Sequence, residues 1–398
     1  MALLTSDTVP AYVAQQLESL PNAPLPRDAA LTAEEITGGN LNYAFVVQDG
    51  AGNSVFVKQA PGFIKVLGPE AKLDRERMML EVGIYQEWRR VLGDAFAAKY
   101  LPQIYAFDAE NMAVTMEFLG SYELLQTTLF NGTASPAVAT GMGEAMGILH
   151  ARTHCSKLVP SEVARLASAY SNSTLRGIQL EYVFSKCYRE HHLAKRLRED
   201  GAFMGEVEKL KALYMGENVD NLALLHGDLH AGSVMADGSA GAVKIIDPEF
   251  AIYGPPGLDV GSLLSTYALA FCYHTVLQAP RAREFLVAIT RVWTKYVATM
   301  KASGVAADVI AHIGEDAVGF AGCEIARTAM GLAYERSLRI PGEALKARAE
   351  QDAVKVAEAC IMGRSGKGPE FLVYELKKFA AEFDGTWFAW LRSRCNCV

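Results

Sequence analysis

Two short apolar runs, each ending in a carboxylate, constrain this chain more than any other feature. Leu222 to Leu225 gives way to His226-Gly227-Asp228-Leu229-His230, and the strand-like Ala242-Val243-Lys244-Ile245-Ile246 gives way to Asp247-Pro248-Glu249. The fold must therefore present three carboxylates at two points, with a short Gly-rich segment between. Phosphoryl transfer needs that equipment. One carboxylate takes the proton of an attacking hydroxyl, and others hold the magnesium ions that neutralise a nucleotide's phosphates.

Asp228, set between His-Gly and Leu-His, suits neither a core nor an ordinary turn. It is assigned as the base that orients the acceptor hydroxyl and takes its proton. Asp247 is the principal metal-ligand candidate and Glu249 the second, because hard cations take oxygen ligands and Pro248 stiffens the pair. A surface acidic turn would not account for their place at the end of an apolar strand. His226 and His230 have a spacing that metal ligands can use. With no third soft ligand nearby, hydrogen bonding that fixes the loop is the better reading. Ser233 fits equally well as a weak metal ligand or as a loop cap. Asp259, in Gly254-Pro255-Pro256-Gly257-Leu258-Asp259-Val260-Gly261, is read as a helix cap or a brace that accepts backbone hydrogen bonds from the catalytic loop.

Upstream, Thr37-Gly38-Gly39-Asn40-Leu41-Asn42-Tyr43 opens a hairpin whose strands, Ala44 to Val47 and Val55 to Lys58, flank Asp49-Gly50-Ala51-Gly52-Asn53. Gly39 would let backbone amides approach phosphate oxygens, and Asn40 and Asn42 would add donors. The same residues are also ordinary turn chemistry. Lys58 would contact the α- and β-phosphates if a helix carboxylate held it in place. Glu81, surrounded by apolar residues, is the best partner, with Glu76 in reserve. Asp74-Arg75-Glu76-Arg77 reads as a solvated face.

Around these motifs the chain shows a helix from about Val9 to Leu20, the hairpin, helical spacing from Ala71 to Leu92, and a strand pair, Ile104 to Phe107 and Met112 to Met116. After Glu117 helical patterns predominate. The expected class is α+β in two domains: residues 1–118, with a helical lead-in, a five-stranded antiparallel sheet and one helix, and a mostly helical 119–398. A nucleotide site is expected between them. The 398 residues, 51% hydrophobic and 21% charged, allow two sizeable cores, and a formal net charge of -7 argues against a broad nucleic-acid surface.

Val260 to Pro280 carries no formal charge and is long enough to span a bilayer. Ser262, Ser265, Thr266, His274, Thr275 and Gln278 mark it instead as a buried helix, so no membrane partner is expected. Seven scattered cysteines without zinc spacing fit reduced thiols in the cytoplasm, and the N-terminus lacks the pattern of a signal peptide. The tail Cys395-Asn396-Cys397-Val398 has the length of a prenylation box, but its polar second position fits a frayed terminus. On a late apolar helix, Glu324 and Arg327 lie one turn apart, as either a buried bridge or the wall of a polar pocket.

Together these motifs resemble the aminoglycoside phosphotransferase and choline kinase superfamily, and within it the methylthioribose kinase family. The resemblance runs from about residue 36 to 335. It is carried by Gly38 to Tyr43, Val57-Lys58-Gln59-Ala60, His226 to Ser233, Ile246 to Ala251, Tyr253-Gly254-Pro255, Asp259-Val260-Gly261 and Gly319 to Glu324. It implies a bilobal protein-kinase-like fold and ATP- and Mg2+-dependent phosphorylation of the 1-hydroxyl of 5-methylthioribose, a step of methionine salvage. Asp228 would be the base, Asp247 and Glu249 (with Ser233 where the superfamily usually has Asn) the metal ligands, and Lys58 the phosphate contact. Met116, Glu117, Phe118 and Leu119 would form the hinge against adenine, and a homodimer is implied. The family usually carries two consecutive arginines near the sugar. Here the pair is Arg327-Thr328, which leaves room for another 5-substituted pentose or a role for Arg336.

Other readings fit less well. A protein kinase would have Arg before the catalytic Asp and Phe-Gly after the metal-binding one. An aminoglycoside or amino-alcohol kinase would line its acceptor pocket with acids, whereas Arg327 points to a neutral sugar bound with Asn42 and Asp228. A nucleotide-binding scaffold has no need of Lys58, Asp228 and Asp247 together.

Overall fold

A computed structural model describes residues 3–20, 24–37, 39, 41–333 and 338–383. Gly38, Asn40, Arg336 and the Cys395–Val398 tail lie outside the described residues. The chain gathers into two compact units, Met1–Tyr122 with Lys244–Glu249, and Glu123–Val243 with Phe250–Val398.

The first unit holds α1 (Val9–Ser19), β1 (Thr32–Glu35), β2 (Tyr43–Gln48), β3 (Ser54–Gln59), α2 (Arg77–Leu92), α3 (Asp94–Tyr100), β4 (Ile104–Asp108) and β5 (Ala113–Glu117). The five strands form one antiparallel sheet in the order β1-β2-β3-β5-β4. Asp49 closes the β2–β3 turn, its Oδ1 accepting from the Ala51 and Asn53 amides at 2.8 and 2.9 Å. The two faces of the sheet separate by the strand period of two. Val55 and Val57 join Phe45 and Val47 against Val9, Val13 and Leu17 of α1. Phe56 and Val114 lie on the other face, with Met78 and Val82 of α2. Lys58 is in step with Phe56 and opposite Val114, so alternation sends it to the α2 side.

Helix α2 begins at Arg77, not at Ala71. A bridge between Phe63 and Lys72, and a bond from the Leu73 amide to the Gly62 carbonyl, commit the preceding backbone to a loop. Helix α3 was not anticipated. Its carbonyls, Ala98 and then Leu101 just beyond it, accept from Lys244 Nζ at 2.9 and 2.7 Å, which ties the segment carrying Asp247 to this unit.

The second unit opens with β6 (Glu123–Leu124), α4 (Leu125–Phe130) and α5 (Pro136–Thr153). Helices α6 (Pro160–Ala169), α7 (Ser173–Phe184), α8 (Lys186–Glu190), α9 (Lys195–Glu199) and α10 (Gly201–Tyr214) follow. Strands β7 (Ala223–Leu225), β8 (Val234–Asp237) and β10 (Ile252–Gly254) belong here, and β9 (Ala242–Ile245) begins here, its Lys244 and Ile245 counting with the first unit; the acidic motifs follow β7 and β9. Helices α11 (Gly257–Val276), α12 (Arg283–Ala302), α13 (Ala307–Ala329), α14 (Glu343–Gly363) and α15 (Glu370–Phe383) complete it. Most of the uncharged segment, Val260 to Val276, lies in α11, which is buried along nearly its whole length. It lies so close to α13 that a Cβ on Gly261 would sit 2.6 Å from the Ala317 carbonyl oxygen. No described helix is long and apolar enough to cross a membrane. Cys155, Cys187, Cys272, Cys323 and Cys360 are free thiols.

Candidate active site

In the first unit one buried cation gathers the candidates. Lys58 Nζ lies 2.9 and 2.8 Å from the two Glu81 oxygens and 2.7 Å from Asp247 Oδ1. Lys58 and Glu81 are buried, whereas the Asp247 side chain is 47% exposed. Burial alone would lower the lysine's pKa, but Asp247, Glu81 and Glu249 more than offset it and hold the ammonium above its ordinary range. Burial raises the Glu81 carboxyl to about 7 against the pull of Lys58. The reserve candidate Glu76 is exposed. Asp247 has a φ of 58°, a left-handed conformation that costs a non-glycine residue free energy, and Tyr85 Oη accepts from its amide at 3.2 Å.

Asn42 Nδ2 donates to Glu249 Oε2 at 3.2 Å, and Asn42 Oδ1 accepts from Arg77 Nη2 at 2.9 Å. Arg77 Nε lies 3.8 Å from Glu249 Oε2. The reading of Arg77 as part of a solvated face is therefore corrected: it is 6% exposed and also donates to the Pro61, Asp74 and Leu41 carbonyls. These three loop carbonyls draw the guanidinium inward. Burial also raises the Glu249 carboxyl above its ordinary range, with Lys58 opposing. Gly39 is exposed, and a Cβ there would touch only the Asn42 carbonyl, at 3.6 Å. Met116 and Leu119 are buried and Phe118 is half-buried. Glu117 accepts from the Gln103 amide at 3.1 Å and lies 3.5 Å from Lys244 Nζ.

In the second unit the Asp228 loop leaves β7, which pairs with β10. The His226 and Gly227 amides donate to Asp259 Oδ2 and Oδ1 at 2.8 and 2.9 Å, so Asp259 braces the loop as expected. Asp259 is wholly buried in the first turn of α11, and His150 Nε2 lies 3.3 Å from its Oδ2. Tyr296 Oη in turn sits 3.0 Å from His150 Nδ1. A phenol donating to Nδ1 leaves Nε2 as the end that donates to the carboxylate. The two loop histidines serve the loop itself: His226 Nδ1 accepts from the Asp228 amide at 3.2 Å and His230 Nδ1 from the Gly232 amide at 2.8 Å. His230 Nε2 also lies 3.4 Å from Asp228 Oδ2. Ser233 Oγ donates to the Asp228 carbonyl at 3.1 Å, the loop-cap arrangement.

Gly227 admits no replacement. Its φ is +86°, and a Cβ would lie 2.0 Å from the Phe250 carbonyl oxygen. Gly227→Ala is expected to lose about 2–4 kcal/mol of stability through strain and overpacking, and chemical denaturation would measure it. Arg327 is buried with Glu324, Nη2 to Oε2 2.8 Å, as an i,i+3 pair on α13.

The donor set suits Mg2+ at one point. Asp247 offers a half-exposed hard oxygen beside a buried cation, whereas Glu249 is engaged by Asn42 and Arg77. Among the described residues no three His, Cys, Asp or Glu side chains gather as a metal site. That is compatible with an ion held by one or two carboxylates and by phosphates rather than by a protein cage.

Residues 32–294 match the model of the phosphotransferase enzyme family. A methylthioribose kinase of Exiguobacterium sibiricum is 30% identical over 360 residues, covering 84% of this chain and 89% of that protein. One from a Geobacillus species is 30% identical over 366 residues, covering 85% and 88%. Among solved structures, choline kinase from Cryptosporidium parvum superposes with a TM-score of 0.51 at 13% identity, covering 87% of this chain and 94% of that one. At that identity the likeness shows the fold alone, which is protein-kinase-like.

Proposed function

Because this chain belongs to the phosphotransferase enzyme family and, within it, to the methylthioribose kinase family, we propose that it transfers the γ-phosphoryl group of ATP to the 1-hydroxyl of 5-methylthioribose. The product is 5-methylthioribose 1-phosphate, formed in methionine salvage. The observation that carries the reading is Lys58, buried between Glu81 and Asp247. A scaffold gains nothing from an ammonium shared by a helix carboxylate and a half-exposed one, whereas a triphosphate site uses both.

In this reading Asp228 accepts the proton of the 1-hydroxyl as its oxygen bonds to the γ-phosphorus and the bond to the ADP oxygen breaks. Lys58, steadied by Glu81, contacts the α- and β-phosphates. Gly39 and Asn42 are assigned to the phosphates, and Met116, Glu117, Phe118 and Leu119 to the adenine. Asp247 would hold Mg2+; of the further oxygen donors that the resemblance implies, Glu249 is engaged by Asn42 and Arg77, and Ser233 by the Asp228 carbonyl. When bound, the ion neutralises charge on the transferring phosphoryl group. Arg327 and Asn42 orient the sugar. The protein is further read as a cytoplasmic homodimer, which light scattering would check.

An ADP-release assay across pentoses, amino alcohols and aminoglycosides tests the substrate. Turnover is expected with 5-methylthioribose. Strong activity confined to cationic acceptors would overturn the assignment.

A further inference from the structure

The peptide plane that carries Asp228 is held from outside its own loop by a side chain that no motif announces. Gln179, on α7, is 5% exposed, and its Nε2 donates to the Gly227 carbonyl at 2.7 Å. At the other end of the same plane, the Asp228 amide donates to His226 Nδ1 at 3.2 Å. Asp259 fixes the preceding plane through the Gly227 amide at 2.9 Å. Ser233 Oγ and the His230 amide fix the following one through the Asp228 carbonyl, at 3.1 and 3.0 Å. Gly227 has no Cβ to restrict it, so the rotation that turns its carbonyl also swings the Cα–Cβ bond of Asp228. Gln179 is the only one of these clamps contributed by α7.

The orientation of the Gln179 amide is itself set. Tyr214 Oη donates to its Oε1 at 2.8 Å, which leaves Nε2 as the end facing the loop. Burial holds the Tyr214 phenol above its ordinary range, so it stays an O–H donor, and the Arg176 guanidinium lies 5.4 Å from the centre of its ring.

We propose that Gln179 is a positioning residue for phosphoryl transfer: backed by Tyr214, it locks the Gly227 carbonyl and so aims the Asp228 carboxylate at the acceptor hydroxyl. This rests on the reading of Asp228 as the base. A carboxylate aimed slightly wrong loses rate while substrates still bind, because reaction demands a narrower geometry than binding does. A purely structural amide would show itself in melting and leave turnover alone.

The test compares Gln179→Met, Tyr214→Phe, their combination and Asp228→Asn in the full chain, by steady-state ADP release and thermal melting. Gln179→Met is expected to lower kcat by about tenfold to a hundredfold, with the KM values for ATP and sugar little changed. Tyr214→Phe should give a smaller fall of the same kind, and the double variant should be no worse than Gln179→Met, since Tyr214 acts through the amide. Wild-type kcat in Gln179→Met, an additive double variant, or a loss confined to KM or melting would each overturn the inference. Should Gln179→Met fail to fold, the kcat and KM effects of Tyr214→Phe decide alone. Asp228→Asn separates the two levels. If it turns over like wild type, the base reading fails; if it is inactive while Gln179→Met is unimpaired, only the clamp fails.

Discussion

Asp228→Asn is expected to lower kcat by about a hundredfold to ten-thousandfold, the range by which a positioned general base accelerates proton transfer. The amide is nearly isosteric, and the loop is held mainly through backbone groups of this residue. Its amide donates to His226, and its carbonyl accepts from Ser233 and His230. The substitution therefore removes the proton acceptor while leaving the scaffold that presents it. ATP binding, assigned to residues of the other unit, should stay near wild type by calorimetry. A variant with near-normal turnover would rule out the mechanism, because no other carboxylate belongs to this loop. A variant that loses ATP affinity as severely as turnover would instead assign Asp228 to the metal and phosphates.

Much of the scaffold around these residues was legible because it follows from short-range periodicity. The β2–β3 hairpin and the β4–β5 pair read as short apolar runs split by polar turn residues, and α1 shows its apolar stripe. Glu81 could be picked out because a carboxylate among Met79, Leu80 and Val82 must find a cation if it is buried. Arg77 was misread for the converse reason. Alternating Asp-Arg-Glu-Arg looks the same whether water or loop carbonyls take the guanidinium, and the Pro61 and Leu41 carbonyls that decide it are supplied by the fold. The late start of α2 has a similar origin in the Phe63–Lys72 bridge. Gln179 was out of reach altogether, because an amide bonding one distant backbone carbonyl leaves no pattern in its neighbours.

Lys58→Met is expected to abolish most activity and to destabilise the first unit in a manner that depends on pH. On the proposed assignment of Lys58 to the phosphates, kcat/KM for ATP should fall by about a hundredfold or more, the scale of losing one electrostatic donor to developing charge. Stability should respond as well, because Glu81 then lies buried with no cation, and breaking such a pair costs about 3–5 kcal/mol. The direction with pH follows from the Glu81 carboxyl, raised by burial to about 7 from an ordinary value of 4.5. A folded-state pKa above the unfolded one means that the fold favours the protonated form. That contribution is present below the unfolded value and lost as pH rises through the folded one. Removing Lys58 takes away the group that pulls this pKa down, so the variant must either hold a bare carboxylate or bind a proton at neutral pH. Its deficit in urea denaturation should thus be larger at pH 8 than at pH 5. Glu81→Gln in the Lys58→Met background should recover stability at pH 8 without restoring activity, because it removes the stranded charge but returns no cation to the phosphates. A deficit that is flat across this range, or larger at pH 5, would mean that Glu81 is solvated and that the ammonium is held by Asp247 alone.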